Sequence, residues 1–207
     1  MWLHNEGAMP LSRYFRQFCH LSVLIALLAV AWVPSATENA AAQTLSAAEN
    51  KSLNEFAKRV KSYISQEHAL SADKLKPTSD VEQLERERVA LRQAIQQSRP
   101  NAKQGDLFTP PIASVFRRLM TQTLAGPNGA KIEASLQHAE PLAPKDLVVN
   151  GEYPNRNGQP IQSVPPTLLQ VLPSLPKGLE YRIAGKTLAI RDTDANMVID
   201  FLPNALP

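Results

Sequence analysis

Eight of the 17 prolines in this 207-residue chain fall between residues 141 and 177, at Pro141, Pro144, Pro154, Pro160, Pro165, Pro166, Pro173 and Pro176. Proline has no backbone N–H and a fixed φ, so neither a long helix nor a central strand can run through that stretch. The segment must be a bridge, and the chain on either side of it must fold separately into its own elements. Within the bridge, Leu147–Asn150 fits a short strand followed by a turn at Asn150-Gly151, and Asn155–Gly158 is a second turn signal. Ser163–Leu172 fits a short helix with Pro165 and Pro166 in its first turn. Apolar residues interleave with the prolines, which argues against a simple disordered linker.

The stretch before the bridge, 43–140, reads as helical. Leu53, Phe56, Ala57, Val60, Tyr63 and Ile64 recur at helical spacing and form one apolar stripe over 46–68. Ser46 with Glu49 three residues on is a capping box at its start. A second helix is expected over 80–98, opened by the same spacing in Ser79 and Glu82, with Val81, Leu84, Leu91 and Ile95 as its seam and Arg88 interrupting it. The run EQLERER within it is read as a solvated face, and Pro100 ends it. After a loop at 101–108, Thr109 caps a third helix with Pro110 at its first position. Ile112, Val115, Phe116, Leu119 and Thr123 share its face, Gly126-Pro127 stops it, and Asn128 opens a short fourth helix. Three or four such helices imply a small bundle or an open array.

After the bridge, 178–207 reads as an antiparallel meander. Leu179–Ala184 and Thr187–Asp192 flank Gly185-Lys186, a pair suited to a type II′ turn. A two-residue loop pairs Ala184 with Thr187, Ile183 with Leu188 and Tyr181 with Ile190, and the last two pairs share one apolar face. Asp192–Asn196 is a turn, and Met197–Leu202 is a third strand with Met197, Ile199 and Phe201 on one side and Val198 and Asp200 on the other. The helix around Leu168–Leu172 is placed to cover the apolar face. The fold class expected is therefore α+β.

The N-terminus reads as an address. Leu21–Val33 is an apolar run of 13 residues, short for a membrane span and preceded by Arg13 and Arg16. Small residues follow at Ala40-Ala41-Ala42, so residues 1–42 are expected to be a signal peptide cleaved after Ala42, with Ala36 the second choice. Met9 is an alternative start, and retention of the run as an anchor is the competing reading. Cleavage removes two Arg and two acids, leaving 20 basic and 17 acidic residues in 165, with no Trp, no Cys and two His. A periplasmic or secreted location follows, with no membrane span after cleavage. One Cys excludes a disulfide framework, and a net charge of +3 is too small to argue for nucleic acid.

No motif dictates a chemistry. Asp192, Asp194 and Asn196 open a calcium loop, but Met197 and Pro203 stand where a Gly and a bidentate Glu are required. His68 and His138 have no metal-ligand neighbour at i+3 or i+4. There is no G-x-S-x-G, and Gly126-Pro127-Asn128-Gly129 lacks the Lys-Ser/Thr of a P-loop. No catalytic residue, metal ligand or cofactor is assigned. Gln104, Asp106 and Thr109 are the candidate binding residues, because Gln104–Thr109 is a Gly-containing polar loop leading into a helix N-terminus that could hold an anion. The competing reading has Asp106 and Thr109 satisfying free helix N–H groups and Phe108 acting as a hydrophobic staple.

Two resemblances bear on function. AKQGDLFTPPIASVFRRL, together with Val164-Pro165-Pro166 and GLEYRIAG, resembles a family of exported bacterial proteins with no assigned activity, and it brings no catalytic residue with it. Leu175–Leu202 resembles the C-terminal hairpin module of RcnB-type periplasmic proteins, where an L-P-x-G leads into a hairpin and a last strand. That family's metal role is not carried over, since the processed chain holds only two His. The expectation is a non-enzymatic periplasmic or envelope-associated binding or structural module with a protein or envelope partner. The alternatives are a small periplasmic hydrolase with a site near Gly105–Thr109, and a metal- or ligand-binding module that uses the C-terminal hairpins.

Overall fold

A computed structural model describes residues 44–71, 78–137, 142, 144–154 and 164–207. The signal segment, His138 and the Asn155–Gly158 turn lie outside the described residues. The chain is α+β: helices α1 (Ala47–Ser71), α2 (Val81–Ser98), α3 (Pro110–Leu124), α4 (Gly129–Leu136) and the single-turn α5 (Pro166–Leu169) precede strands β1 (Leu179–Ala184), β2 (Thr187–Asp192) and β3 (Met197–Leu202). The strands form one antiparallel sheet in the order β1-β2-β3.

Helix α1 begins with the capping box. The Ser46 hydroxyl accepts from the Glu49 N–H at 3.2 Å, and Glu49 Oε2 accepts from the Ser46 N–H at 2.8 Å. Its stripe Phe56, Val60, Tyr63 and Ile64 is buried. Helix α2 starts one residue later than the Ser79 reading implies. Asp80 is its cap, with Oδ1 accepting from the Glu82 and Gln83 N–H groups at 2.9 and 3.1 Å. Aspartate is as good a cap as serine and carries charge toward the positive end of the helix dipole. The expected seam is only half used. Leu91 and Ile95 are fully buried, but Val81 and Leu84 are 78% and 39% exposed, because the first turns of α2 run out beyond the core. Helix α3 buries Ile112, Val115, Phe116 and Leu119 as its periodicity requires, and Met120 with them.

One hydrophobic core takes residues from α1, α2, α3, α4, α5 and one face of the sheet. Its centre is aromatic. Phe56, Phe108 and Phe116 pack with ring centroids 4.9–5.8 Å apart, and Phe116 lies 6.3 Å from Tyr181 of β1. Leu168 and Leu172 belong to this core, so the short helix covers the sheet as its position suggested. The opposite face of the sheet is covered too: Ala184, Ala189 and Val198 pack under Leu142, Leu147 and Tyr153 from the bridge.

The bridge itself differs from expectation. Pro144–Asp146 is a 3₁₀ turn, and Leu147–Asn150 is not a strand. Contact with the sheet comes one step later. The Asn150 N–H donates to the Val198 carbonyl, the Val198 N–H to Gly151, and the Tyr153 N–H to Asn196, closing the outer edge of β3. Asn150, at φ +60°, makes the turn that allows this. A proline-poor window of a few residues is enough to cap an edge, where only alternate backbone groups must pair.

The hairpin register is as the apolar pattern dictates, with Ala184 opposite Thr187, Ile183 opposite Leu188 and Tyr181 opposite Ile190. Gly185 alone of the turn pair has positive φ, +57°, as a type II′ turn requires. Strand β3 departs from simple alternation. Ile190 pairs with Asp200 but Arg191 pairs with Val198, so Ile199 is an extra residue and forms a bulge. Beyond it the faces exchange. Leu202 joins the helix-side core, while Phe201 turns to the opposite face, not to that of Met197 and Ile199 as alternation predicts.

Candidate functional site

The bulge at Ile199 decides what happens at the Gln104–Thr109 loop. It turns Asp200 toward the helices, across from Ile190, instead of to the face it would share with Val198. There Asp200 is completely buried. Its Oδ1 accepts from the Gly105 N–H at 2.9 Å, and its Oδ2 from the Leu107 and Phe108 N–H groups at 2.7 and 2.8 Å. The Phe201 N–H adds a fourth bond at 2.8 Å. The loop N–H groups thus hold the chain's own carboxylate, and all three donors lie in the loop ahead of α3. Burial raises the pKa of Asp200 above the ordinary aspartate range, and the N–H donors pull in the opposite direction.

The three candidate residues surround this cradle without converging on a common point. Gln104 is exposed. Asp106 is half-buried, its Oδ2 accepting from the Lys103 N–H at 2.9 Å while its carbonyl accepts from Arg59 at 2.9 Å. Thr109 stands at the N-cap of α3 with no side-chain capping bond. Neither Asp106 nor Thr109 satisfies the helix N–H groups through its side chain. Phe108 is buried among Phe56 and Phe116, as a residue preceding a cap should be. The residue that sequence reading missed is Asp200. Its one signal is a lone charge in the apolar strand MVIDFL.

A second group of carboxylates lies where the end of α1 meets the β2–β3 turn. The Tyr63 hydroxyl donates to Asp192 Oδ2 at 2.6 Å, and Asp192 Oδ1 accepts from the Asp194 and Ala195 N–H groups at 2.8 Å each. The D-x-D-x-N motif is therefore a turn, held by Asp192 and by Asn196 at φ +47°. One turn of α1 beyond Tyr63, Glu67 is 2% exposed and neither of its carboxylate oxygens has a hydrogen-bond partner. Burial raises its pKa, and the nearby Asp192 raises it further. Among the described residues no three His, Cys, Asp or Glu side chains are placed to hold a metal ion.

On the bridge side of the sheet, charged groups pair with one another. Arg92 donates to the Ala195 carbonyl at 2.9 Å and to Glu152 at 3.1 Å. Glu180 accepts from Arg182 and, at 2.7 Å, from Arg191, which also bonds Asn196 and lies over the Tyr153 ring.

A concave surface of a size suited to a ligand lies beside β1. A cavity of about 430 Å³ opens between α5, the Pro173–Leu175 turn and β1. Its walls include Val164, Leu169, Leu175 and Leu179, and Glu180 and Arg182 stand in its lining. Tyr181 is fixed there by its hydroxyl, which donates to the Pro173 carbonyl at 2.8 Å, and burial raises its pKa. Leu168 points into the core, whereas Leu169, the next residue, is 42% exposed and faces the cavity. The size falls within the range of small-ligand and side-chain pockets.

No family model matches this chain, and no curated protein and no solved structure matches it either. Among the described residues no helix is long and apolar enough to cross a membrane.

Proposed function

We propose that this chain is an exported, non-enzymatic binding module that holds a short extended segment of a protein partner in the groove beside β1. The observation that carries the reading is the groove itself: apolar walls from the bridge, with a mutually paired acid and guanidinium in its lining. The Glu180 carboxylate is already engaged by the Arg182 and Arg191 guanidinium groups, so the groove suits an uncharged segment better than a charged ligand. Leucine and valine walls suit the apolar side chains that such a segment would carry. The carboxylates of Asp192 and Asp200 are committed to holding loops together, which leaves the groove as the feature best able to act on another molecule.

Calorimetry with acetylated, amidated pentapeptides alternating leucine and threonine tests this on the full chain. Binding is expected, and Leu169→Asp is expected to weaken it about tenfold or more, the equivalent of about 1.4 kcal/mol. Because Leu169 is half-exposed, the same substitution should leave the melting temperature nearly unchanged. Peptide binding indifferent to Leu169→Asp, or binding of a small apolar solute with no peptide bound, overturns the reading.

A further inference from the structure

Glu67 is a costly residue in an otherwise conventional helix. Two carboxylates, Glu67 and Asp192, adjoin Tyr63, and its hydroxyl has one proton to give. That proton goes to Asp192 at 2.6 Å. Asp192 is also held by two turn N–H groups, whereas Glu67 receives no hydrogen bond. The nearest polar groups do not compensate. The Ser71 hydroxyl is turned to the His68 carbonyl at 3.2 Å, and the His68 ring, 3.6 Å from Glu67 Oε2, is itself 67% exposed and charged only when protonated. From the β2–β3 turn, Asp192 and Asp194 both face Glu67 with the same sign of charge. Among the described residues, Arg99 from the end of α2 sits over the Tyr63 ring, 4.9 Å from its centroid, and makes no hydrogen bond to Glu67. At 2% exposure and with no hydrogen-bond partner among the described residues, the ionised carboxylate is disfavoured there, so the closed packing favours the neutral acid.

We propose that the seam between the last turn of α1 and the β2–β3 turn is a proton-operated latch: it is closed while Glu67 carries a proton, and it loosens when Glu67 ionises against Asp192 and Asp194. The seam is small and local, which makes it releasable. It consists of the Tyr63–Asp192 hydrogen bond, Ile64 close to Gly178, and the buried Glu67 itself. The aromatic contacts of Phe56, Phe108 and Phe116 are made by other residues of the same core.

The direction of the pH effect follows from the raised pKa. The closed state binds the proton more tightly than the open one, in which Glu67 returns to an ordinary value near 4.5. The latch is therefore strongest below that value. It weakens as the pH rises from there to the midpoint of the closed state, and it changes no further above that midpoint. Asp192, also raised by burial, acts in the same direction, so the contribution of Glu67 is read as the difference between the natural chain and a variant.

The test is hydrogen exchange on the full chain between pH 4 and pH 8, followed at the amides of Glu67–Ser71 and of Asp194 and Ala195. Protection is expected to fall as the pH rises, by about tenfold for each unit by which the Glu67 midpoint exceeds its ordinary value. Glu67→Gln, which is neutral at every pH and nearly the same shape, should lose less protection than the natural chain over the same range, the remaining fall being that of Asp192. A carbon-13 titration of the Glu67 carboxyl in the unsubstituted chain supplies an independent measurement and does not require the variant to fold. A midpoint at or below 4.5, or the same pH dependence in Glu67→Gln as in the natural chain, overturns the proposal.

Discussion

Asp200 shows how much one side chain can organise. It sits in a strand whose other residues are apolar, and it ties the Gly105–Phe108 loop to the sheet through three N–H groups. Replacing it with alanine removes the side-chain acceptor that those N–H groups have among the described residues. Each buried donor left without a partner costs about 1 kcal/mol or more, so Asp200→Ala should lose about 3 kcal/mol in urea denaturation. Asp200→Asn keeps the shape but presents an NH₂ where an acceptor is needed, and it should fall between the two. A loss under about 1 kcal/mol for the alanine variant would mean that the loop is held by Phe108 packing alone. The same residue marks a limit of sequence reading. The loop was legible, from its glycine and from the helix that follows, as a polar turn ahead of a helix start. Its occupant was not, because the carboxylate reaches it from 95 residues away, and only after a bulge.

At the scale of elements, periodicity located the four helices described before the bridge, although the side-chain capping bond read from the sequence forms only at α1, and the two-residue turn set the hairpin register. What they could not reveal was a change of phase. Alternation assigns Phe201 to the face of Met197, and a single extra residue at Ile199 reverses that assignment. Likewise Val81 and Leu84 continue the seam of α2 in sequence but have no partner in space. The α3–α4 junction hides a constraint of the same kind. Gly129 opens α4, and a Cβ added there would lie 1.8 Å from the Leu124 carbonyl oxygen and 2.8 Å from its carbon. Those atoms are backbone, so the clash cannot be relieved by a side-chain rotation. Gly129→Ala should therefore cost about 1–3 kcal/mol, the range for overpacked sites, and should lift α4 away from α3. Faster exchange at the Ile132 amide, whose side chain is α4's main buried anchor, is the signature to look for. Unchanged protection at Ile132 would show that the junction can shift without undocking the helix.

For the whole molecule, the proline cluster proves to be a structural element in its own right. Prolines forbid regular structure over 141–177, and the bridge instead lays Leu142, Leu147 and Tyr153 over one face of the sheet and Leu168 and Leu172 over the other. A three-stranded meander too small to be stable alone is thereby enclosed on both sides. The Ser46–Glu49 box closes the first turn of α1, and Arg118 of α3 reaches back to Glu49, so the fold is anchored from Ser46 onward. Cleavage after Ala42 would leave three residues ahead of that box, short enough to clear it without a long tail. Cleavage after Ala36 would leave nine, with Glu38 among them. The expected outcome of expressing the full chain in a bacterium with a secretory pathway is a protein beginning at Gln43 in the periplasmic fraction, read by N-terminal sequencing and intact mass. Replacing Ala40 and Ala42 with bulky residues should block processing and leave the precursor in the membrane fraction. A mature form that still contains Leu21–Val33 would mean that the run is an anchor, and the groove beside β1 would then work at a membrane surface.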